Sequence, residues 1–212
     1  MDCRRGIRCH SAGDGAGVHS RPSLPALRGS PLTVHIADAE ALLAAAVPLQ
    51  AGDWADVGAG GGTFSRALAR RLGRGSRIYA VDRDRAAIES IAGVGADGVE
   101  VIPVIGDFSR PLQLPGIGVS QLSGMLFANA LHFVANPRDV LAHLLTWLRP
   151  GGRVVIVEYD GRRPSRWVPY PISAERLPEM VAGLGLSKPA ITARRPSAYG
   201  GSLYVTVMER VP

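Results

Sequence analysis

The chain has 212 residues, 46% apolar and 20% charged, which suits one globular domain with a hydrophobic core. No apolar run approaches the roughly 18 residues needed to cross a bilayer, and no apolar segment of signal-peptide length follows the arginine-containing start, so a cytoplasmic protein without a membrane anchor is expected. The formal charge of +6 comes from basic residues among which Lys188 is the single lysine, spread over most of the chain rather than gathered in a stripe with aromatics. That distribution argues against nucleic acid as a partner.

Residues 1–31 combine Gly, Ser, Pro and Arg with almost no periodic apolar positions, and read as a disordered arm ahead of a single domain over 32–212. Both cysteines, Cys3 and Cys9, lie in that arm, and with His10 and His19 they match no zinc spacing, so no metal is expected. Ala39, Leu42, Leu43 and Ala46 recur at helical spacing until Pro48 ends the pattern. Trp54 to Val57 is a short apolar run interrupted by Asp56, followed by a turn holding Gly58, Gly60, Gly61 and Gly62. Phe64, Leu68 and Leu72 then share a helical face up to Gly73. The pattern is strand, tight turn and helix start, with bare backbone able to approach a ligand.

Arg77 to Asp82 is β-prone and ends in an acid. Ala86, Ala87, Ile88 and Ile91 predict a short helix closed by Gly93, and Val99 to Ile105 predicts a strand ending in Gly106-Asp107. Pro103 lacks an amide for a hydrogen-bond ladder, so this strand is expected at an edge. Gly124 to Ala128 is a fourth strand, followed by Asn129-Ala130-Leu131-His132. Val140, Leu141, Leu144, Leu145 and Leu148 predict an amphipathic helix, Arg149-Pro150-Gly151-Gly152 a turn, and Val154 to Val157 a strand finishing at Glu158-Tyr159.

Toward the end, Leu177, Met180, Val181 and Leu184 predict a helix. Two further strands, Ala190 to Ala193 and Ser202 to Glu209, are joined too briefly for a parallel crossover and should be antiparallel. Strands alternating with helices imply an α/β fold with a mostly parallel sheet covered on both faces. In such sheets ligands sit beyond the carboxyl ends of the strands, which here carry the glycine turn, Asp82, Asp107 and Asn129 to His132. Asp82 lies about 20 residues past the glycines, where a carboxylate can hold a ribose diol.

The glycines do not keep the dinucleotide register G-x-G-x-x-G, because from Gly58 and Gly60 the third position falls on Thr63. Asp56, Gly58, Gly60 and Gly62 instead resemble motif I of the class I S-adenosylmethionine-dependent methyltransferases. Gly106-Asp107-Phe108, the Leu148 to Arg153 turn and the closing antiparallel pair resemble later parts of the same family, over roughly Ala37 to Arg210. The resemblance implies a Rossmann-like, doubly wound, seven-stranded sheet whose last strand is antiparallel. It further implies S-adenosylmethionine as cofactor, with its amino-acid portion near the backbone of Gly58, Ala59, Gly60 and Gly62. Asp56 would orient that turn or the ammonium group, Asp82 would hold the ribose, and Arg83 beside it is a further cofactor-binding candidate. Asp107 and Phe108 would serve the adenine, and Asn129 the methyl-transfer end.

More narrowly, Glu158-Tyr159-Asp160 and Trp167-Val168-Pro169-Tyr170-Pro171 resemble a group of small bacterial methyltransferase-like proteins. Trp167 and Tyr170 are candidates for a substrate loop. His132 is the candidate general base, since an imidazole titrates near neutrality, with a capping or packing role as its structural alternative. Asn129-Ala130-Leu131-His132 lacks the signature of DNA amino-methyltransferases, no cysteine falls in the site, and no carboxylate cluster suits a metal. A small-molecule acceptor is therefore expected. The alternatives are a cofactor-binding module without catalysis and a nicotinamide-dependent oxidoreductase.

Overall fold

The computed structural model describes residues 34–91, 95–96, 98–197 and 199–212. The arm over 1–31, both cysteines and Gly93 lie outside the described residues. Along the chain run α1 (Ile36–Leu43), β1 (Trp54–Val57), α2 (Thr63–Arg71), β2 (Arg77–Asp82), α3 (Arg85–Glu89), β3 (Gly95–Ala96) and β4 (Val99–Ile105). They are followed by β5 (Leu122–Ala128), α4 (Pro137–Leu144), β6 (Leu148–Asp160), α5 (Leu177–Val181), β7 (Ala190–Pro196) and β8 (Ser202–Glu209).

All strands join one sheet in the order β3-β4-β2-β1-β5-β6-β8-β7. The seven expected strands are present, and β3 adds two residues at one edge, antiparallel to β4. β4, β2, β1, β5 and β6 are mutually parallel, and β8 runs antiparallel between β6 and β7. The order reverses at β1, which lies between β2 and β5, so the crevice past its carboxyl end is the switch point where α/β sheets bind ligands.

Helices cover both faces because the strands are apolar on both. On one face Leu43 of α1, Phe64 and Leu68 of α2 and Ile88 of α3 pack with Ile78, Ala80, Leu126 and Val155. On the other, Leu141 and Leu144 of α4 and Leu177 of α5 pack with Tyr79, Val81, Phe127 and Ile156. Burying a side chain of this size contributes about 1.5–3 kcal/mol, so these two layers hold the strand ends in place.

The strand holding Pro103 was expected at an edge, but β4 lies one strand in, beside the two-residue β3. The amides of Glu100 and Gly106 donate to Ser76 and Asp82 on the β2 side, so by the two-residue period the nitrogen of Pro103 faces away from β2. On that side β3 reaches only Val99 and Glu100, and Pro103 is exposed.

Three boundaries differ from expectation. The α4 helix stops at Leu144, a 3₁₀ turn spans Leu145–Trp147, and Leu148 opens β6 opposite Leu122. Pro150, two residues on, offers no amide to prolong a helix. The Arg149 to Gly152 turn lies within β6: the register steps from Leu122↔Leu148 to Gly124↔Arg153, so the turn bulges out of the ladder, held by hydrogen bonds of Gly151 and Gly152 to Arg210. The last helix ends at Val181, and Leu184 falls beyond it, between Gly183 and Gly185.

Candidate active site

One cavity of about 530 Å³ opens beyond the carboxyl ends of β1, β2, β4 and β5. Gly58, Asp82, Arg83, Asp107, Phe108, Asn129 and Tyr170 of the expected site residues line it. The volume falls within the range of pockets that enclose a small ligand.

The glycine turn is fastened to β2. The amides of Gly58 and Ala59 both donate to the Val81 carbonyl, at 2.8 and 2.9 Å, and the amide of Gly60 donates to Asp82 Oδ2 at 2.8 Å. These N–H groups are spent inside the protein, so what Gly58 offers the cavity is close approach rather than donors. Its φ is +80°, and a Cβ there would stand 2.5 Å from the Ala130 Cβ, so only glycine lets the turn and the post-β5 loop meet. Ala59, Gly60 and Gly62 do not line the cavity: Ala59 and Gly60 shape the turn, and Gly62 caps α2.

Asp56 also lies away from the cavity. It is completely buried on the α2 side of β1, where Ser65 donates to its Oδ2 at 2.6 Å and its Oδ1 has no hydrogen-bond partner among the described residues. Burial pushes its carboxyl up to about 7, opposed by the Ser65 hydrogen bond and assisted by the nearby charge of Asp82. Asp56 thus ties β1 to the helix that follows the turn.

Asp82 accepts from Gly60 with one oxygen and from the Asp84 amide with the other, at 2.9 Å. An ionised carboxylate has about four lone-pair sites, so acceptor capacity remains for two ligand hydroxyls. Asp107 accepts from the Ser109 hydroxyl at 2.6 Å and the Ser109 amide at 2.9 Å, both on Oδ1. The Ser109 hydroxyl bond chiefly holds this carboxyl below its ordinary range, with Arg83 and Arg110 adding smaller attractions. Phe108, partly buried, sits beside it in the wall.

Asn129 follows β5 with φ +53°, a strained conformation for a residue with a side chain. Its amide donates to Val157 at 2.8 Å, and its Oδ1 is buried without a partner among the described residues. An orphaned acceptor in a cavity wall is a place for a ligand donor.

His132, expected as a base, is not brought to the cavity. It is 2% exposed, and its Nδ1 lies 2.6 Å from Glu158 Oε2 while its amide donates to Glu158 Oε1 at 3.2 Å. The backbone carbonyl of His132 accepts from the Tyr170 amide at 3.0 Å. The residue therefore anchors Phe133 and Tyr170, which do line the cavity. Trp167 is also outside the lining; it is exposed, with the Arg166 guanidinium 4.4 Å above its ring. Phe133, Val134 and Ala135 were not foreseen as lining residues, although an aromatic directly after the strand-end loop was a signal for Phe133.

Among the described residues, no group of three or more His, Cys, Asp or Glu is arranged to hold a metal ion. No described helix is long and apolar enough to cross a membrane.

Residues 55–154 match the model of a methyltransferase domain family. No curated protein matches the chain. Among solved structures, the fold is similar to 1,6-didemethyltoxoflavin-N1-methyltransferase of Burkholderia thailandensis, solved with bound 1,6-didemethyltoxoflavin and S-adenosylhomocysteine, at 21% identity over 84% of this chain and 78% of that one, TM-score 0.62. It is also similar to a protein of Bacillus halodurans at 14% identity over 83% of this chain and 100% of that one, TM-score 0.62. A SAM-dependent methyltransferase of Aquifex aeolicus matches at 16% identity over 77% of this chain and 85% of that one, TM-score 0.58. The family match spans the turn, β2, β4 and β5, so that stretch is similar to methyltransferase domains, and the chain shares its fold with solved S-adenosylmethionine-dependent methyltransferases.

Proposed function

We propose that residues 32–212 form a single domain that methylates a small-molecule acceptor in the bacterial cytoplasm, holding the cofactor in the strand-end cavity. The observation that carries this reading is the convergence of Gly58, Asp82, Asp107 and Asn129, from the ends of four strands, on that one cavity. Each suits a part of the cofactor. The spare acceptor sites of Asp82 meet a ribose diol, Asp107 accepts from an adenine amino group beside the Phe108 ring, and Gly58 leaves room for the amino-acid portion. The unpartnered Oδ1 of Asn129 falls to the methyl-transfer end.

The sulfonium supplies an already activated methyl group, so the protein's part is alignment and exclusion of water. Transfer forms a bond from the acceptor's nucleophile to the methyl carbon and breaks the methyl–sulfur bond, whose electron pair stays on sulfur. A proton carried by the nucleophile leaves to water. No base is assigned, because the candidate imidazole is engaged with Glu158. Phe133 and Tyr170, 49% and 48% exposed, stand at the cavity as apolar surface that ligands would cover.

Calorimetric titration with S-adenosylhomocysteine tests the cofactor half, and transfer of labelled methyl to a small-molecule panel tests the rest. Absence of binding by the intact protein would sink the reading.

A further inference from the structure

A second cavity, of about 610 Å³, adjoins the first and shares Ala135 and Tyr170 with it. Its apolar walls are Pro164, Pro169, Tyr170, Pro171, Ile172 and Met180. Proline rings and a phenol ring present flat, rigid surfaces that lose little freedom when covered. The floor is anchored: Tyr204 donates its hydroxyl to the Ile172 carbonyl at 3.0 Å, and the Ala174 amide donates to Asp160 at 3.3 Å. Arg138 of α4 donates to the Met180 carbonyl of α5 at 2.9 Å, tying together the two helices that border the space.

The charged lining residues are Arg138 and Arg176 against Asp139 and Glu179. Two cations and two anions leave no net field to select a strongly charged occupant. An aliphatic polar occupant would leave the proline and tyrosine walls without a complement, whereas a flat ring system would cover them.

We propose that this second cavity is the acceptor site and that it takes a planar, uncharged aromatic molecule, with the oxygen or nitrogen to be methylated directed past Tyr170 and Ala135 into the first cavity. This rests on the placement of the cofactor in the first cavity. Methylation replaces an O–H or N–H of the ring substituent by O–CH₃ or N–CH₃, with the proton released to water.

Met180 gives a local probe, because Met125 and Met208 are buried at 0% and 1% exposure, away from this cavity. Protein isotopically labelled at the methionine methyls and loaded with S-adenosylhomocysteine would be titrated with naphthol and hydroxyquinoline, and in parallel with ethanolamine and glycerol. The Met180 signal is identified by its disappearance in Met180→Leu. The aromatic probes should move it and the aliphatic ones should not. Pro169→Trp, which fills the cavity, should weaken the aromatic probes at least about tenfold and leave S-adenosylhomocysteine affinity within about twofold. A Met180 signal that ignores the aromatic probes, or answers the aliphatic ones equally, overturns the assignment while cofactor binding persists. Loss of cofactor binding in the unmutated protein overturns the underlying reading instead, and the acceptor site with it.

Discussion

His132 and Glu158 meet inside the protein, with Nδ1 2.6 Å from Oε2 and both side chains at most 2% exposed. Glu158 comes from the end of β6, and His132 from the loop beyond β5, so the pair locks two neighbouring strand ends together. Through the His132 carbonyl the lock extends to Tyr170.

Glu158→Ala should leave the His132 amide and ring nitrogen buried without their acceptor. Each such loss costs about 1–3 kcal/mol, and for a chain of this length roughly 2–4 °C accompanies each kcal/mol. The expected outcome is a fall of roughly 5–15 °C in Tm, read by thermal melting, with a smaller fall for Glu158→Gln. An unchanged melting temperature in Glu158→Ala would mean that the pair holds nothing.

Asp82→Ala removes the acceptor of the Gly60 and Asp84 amides, and with it the acceptor proposed for the ribose. Hydrogen bonds to a charged group contribute about 1.5–3 kcal/mol, so S-adenosylhomocysteine should bind about ten- to 150-fold more weakly by calorimetry. Wild-type affinity in this variant would remove Asp82 from the cofactor site.

Gly58→Ala and Gly60→Ala form a contrasting pair. Both positions have positive φ, which costs a residue with a side chain about 1–2 kcal/mol. At Gly58 the new Cβ also meets the Ala130 Cβ at 2.5 Å, whereas at Gly60 nothing lies within 4 Å. Chemical denaturation should show Gly58→Ala to be the more destabilised, and its cofactor affinity the more reduced. Equal losses would argue against the close approach of the turn to Ala130.

The carboxyl of Asp56 releases its proton at about 7 in the folded protein, against the ordinary 3.8. Between those values the folded state binds more protons than the unfolded chain, so this residue lowers stability progressively as pH rises from about 4 to about 7. Asp56→Asn, which cannot ionise and still offers Ser65 an acceptor, should match the native protein near pH ~4. It should exceed it by up to about 4 kcal/mol above pH ~7, taking roughly three pKa units at about 1.4 kcal/mol each. Melting curves across this window give the comparison, and a difference independent of pH would place the titration elsewhere.

Asp82, Asp107 and Asn129 could be found in the sequence because a parallel sheet brings every carboxyl strand end to one edge, so an acid or amide after an apolar run falls beside the next. The His132–Glu158 pairing could not, since its partners are 26 residues apart and meet only because β6 docks on β5. Asp56 was ambiguous for another reason. β1 is buried on both faces, so no polar alternation says which way its carboxylate points. The committed amides of Gly58 and Ala59 were equally hidden, because glycine spacing reports a turn and says nothing of which carbonyl it closes on.

The antiparallel β8 has a consequence for how the molecule is made. Among the described residues β7 pairs with β8 alone, and β8 is the last strand in the chain. As the polypeptide leaves the ribosome, the glycine turn, Asp82, Asp107 and Asn129 can assemble on β1, β2, β4 and β5 well before residues 202–209 emerge. β7 meanwhile has no ladder to join. The strand ends that carry the candidate cofactor residues thus all precede β8 in the chain, and the flank of the sheet beyond β6 can be completed only once residues 202–209 lie between β6 and β7.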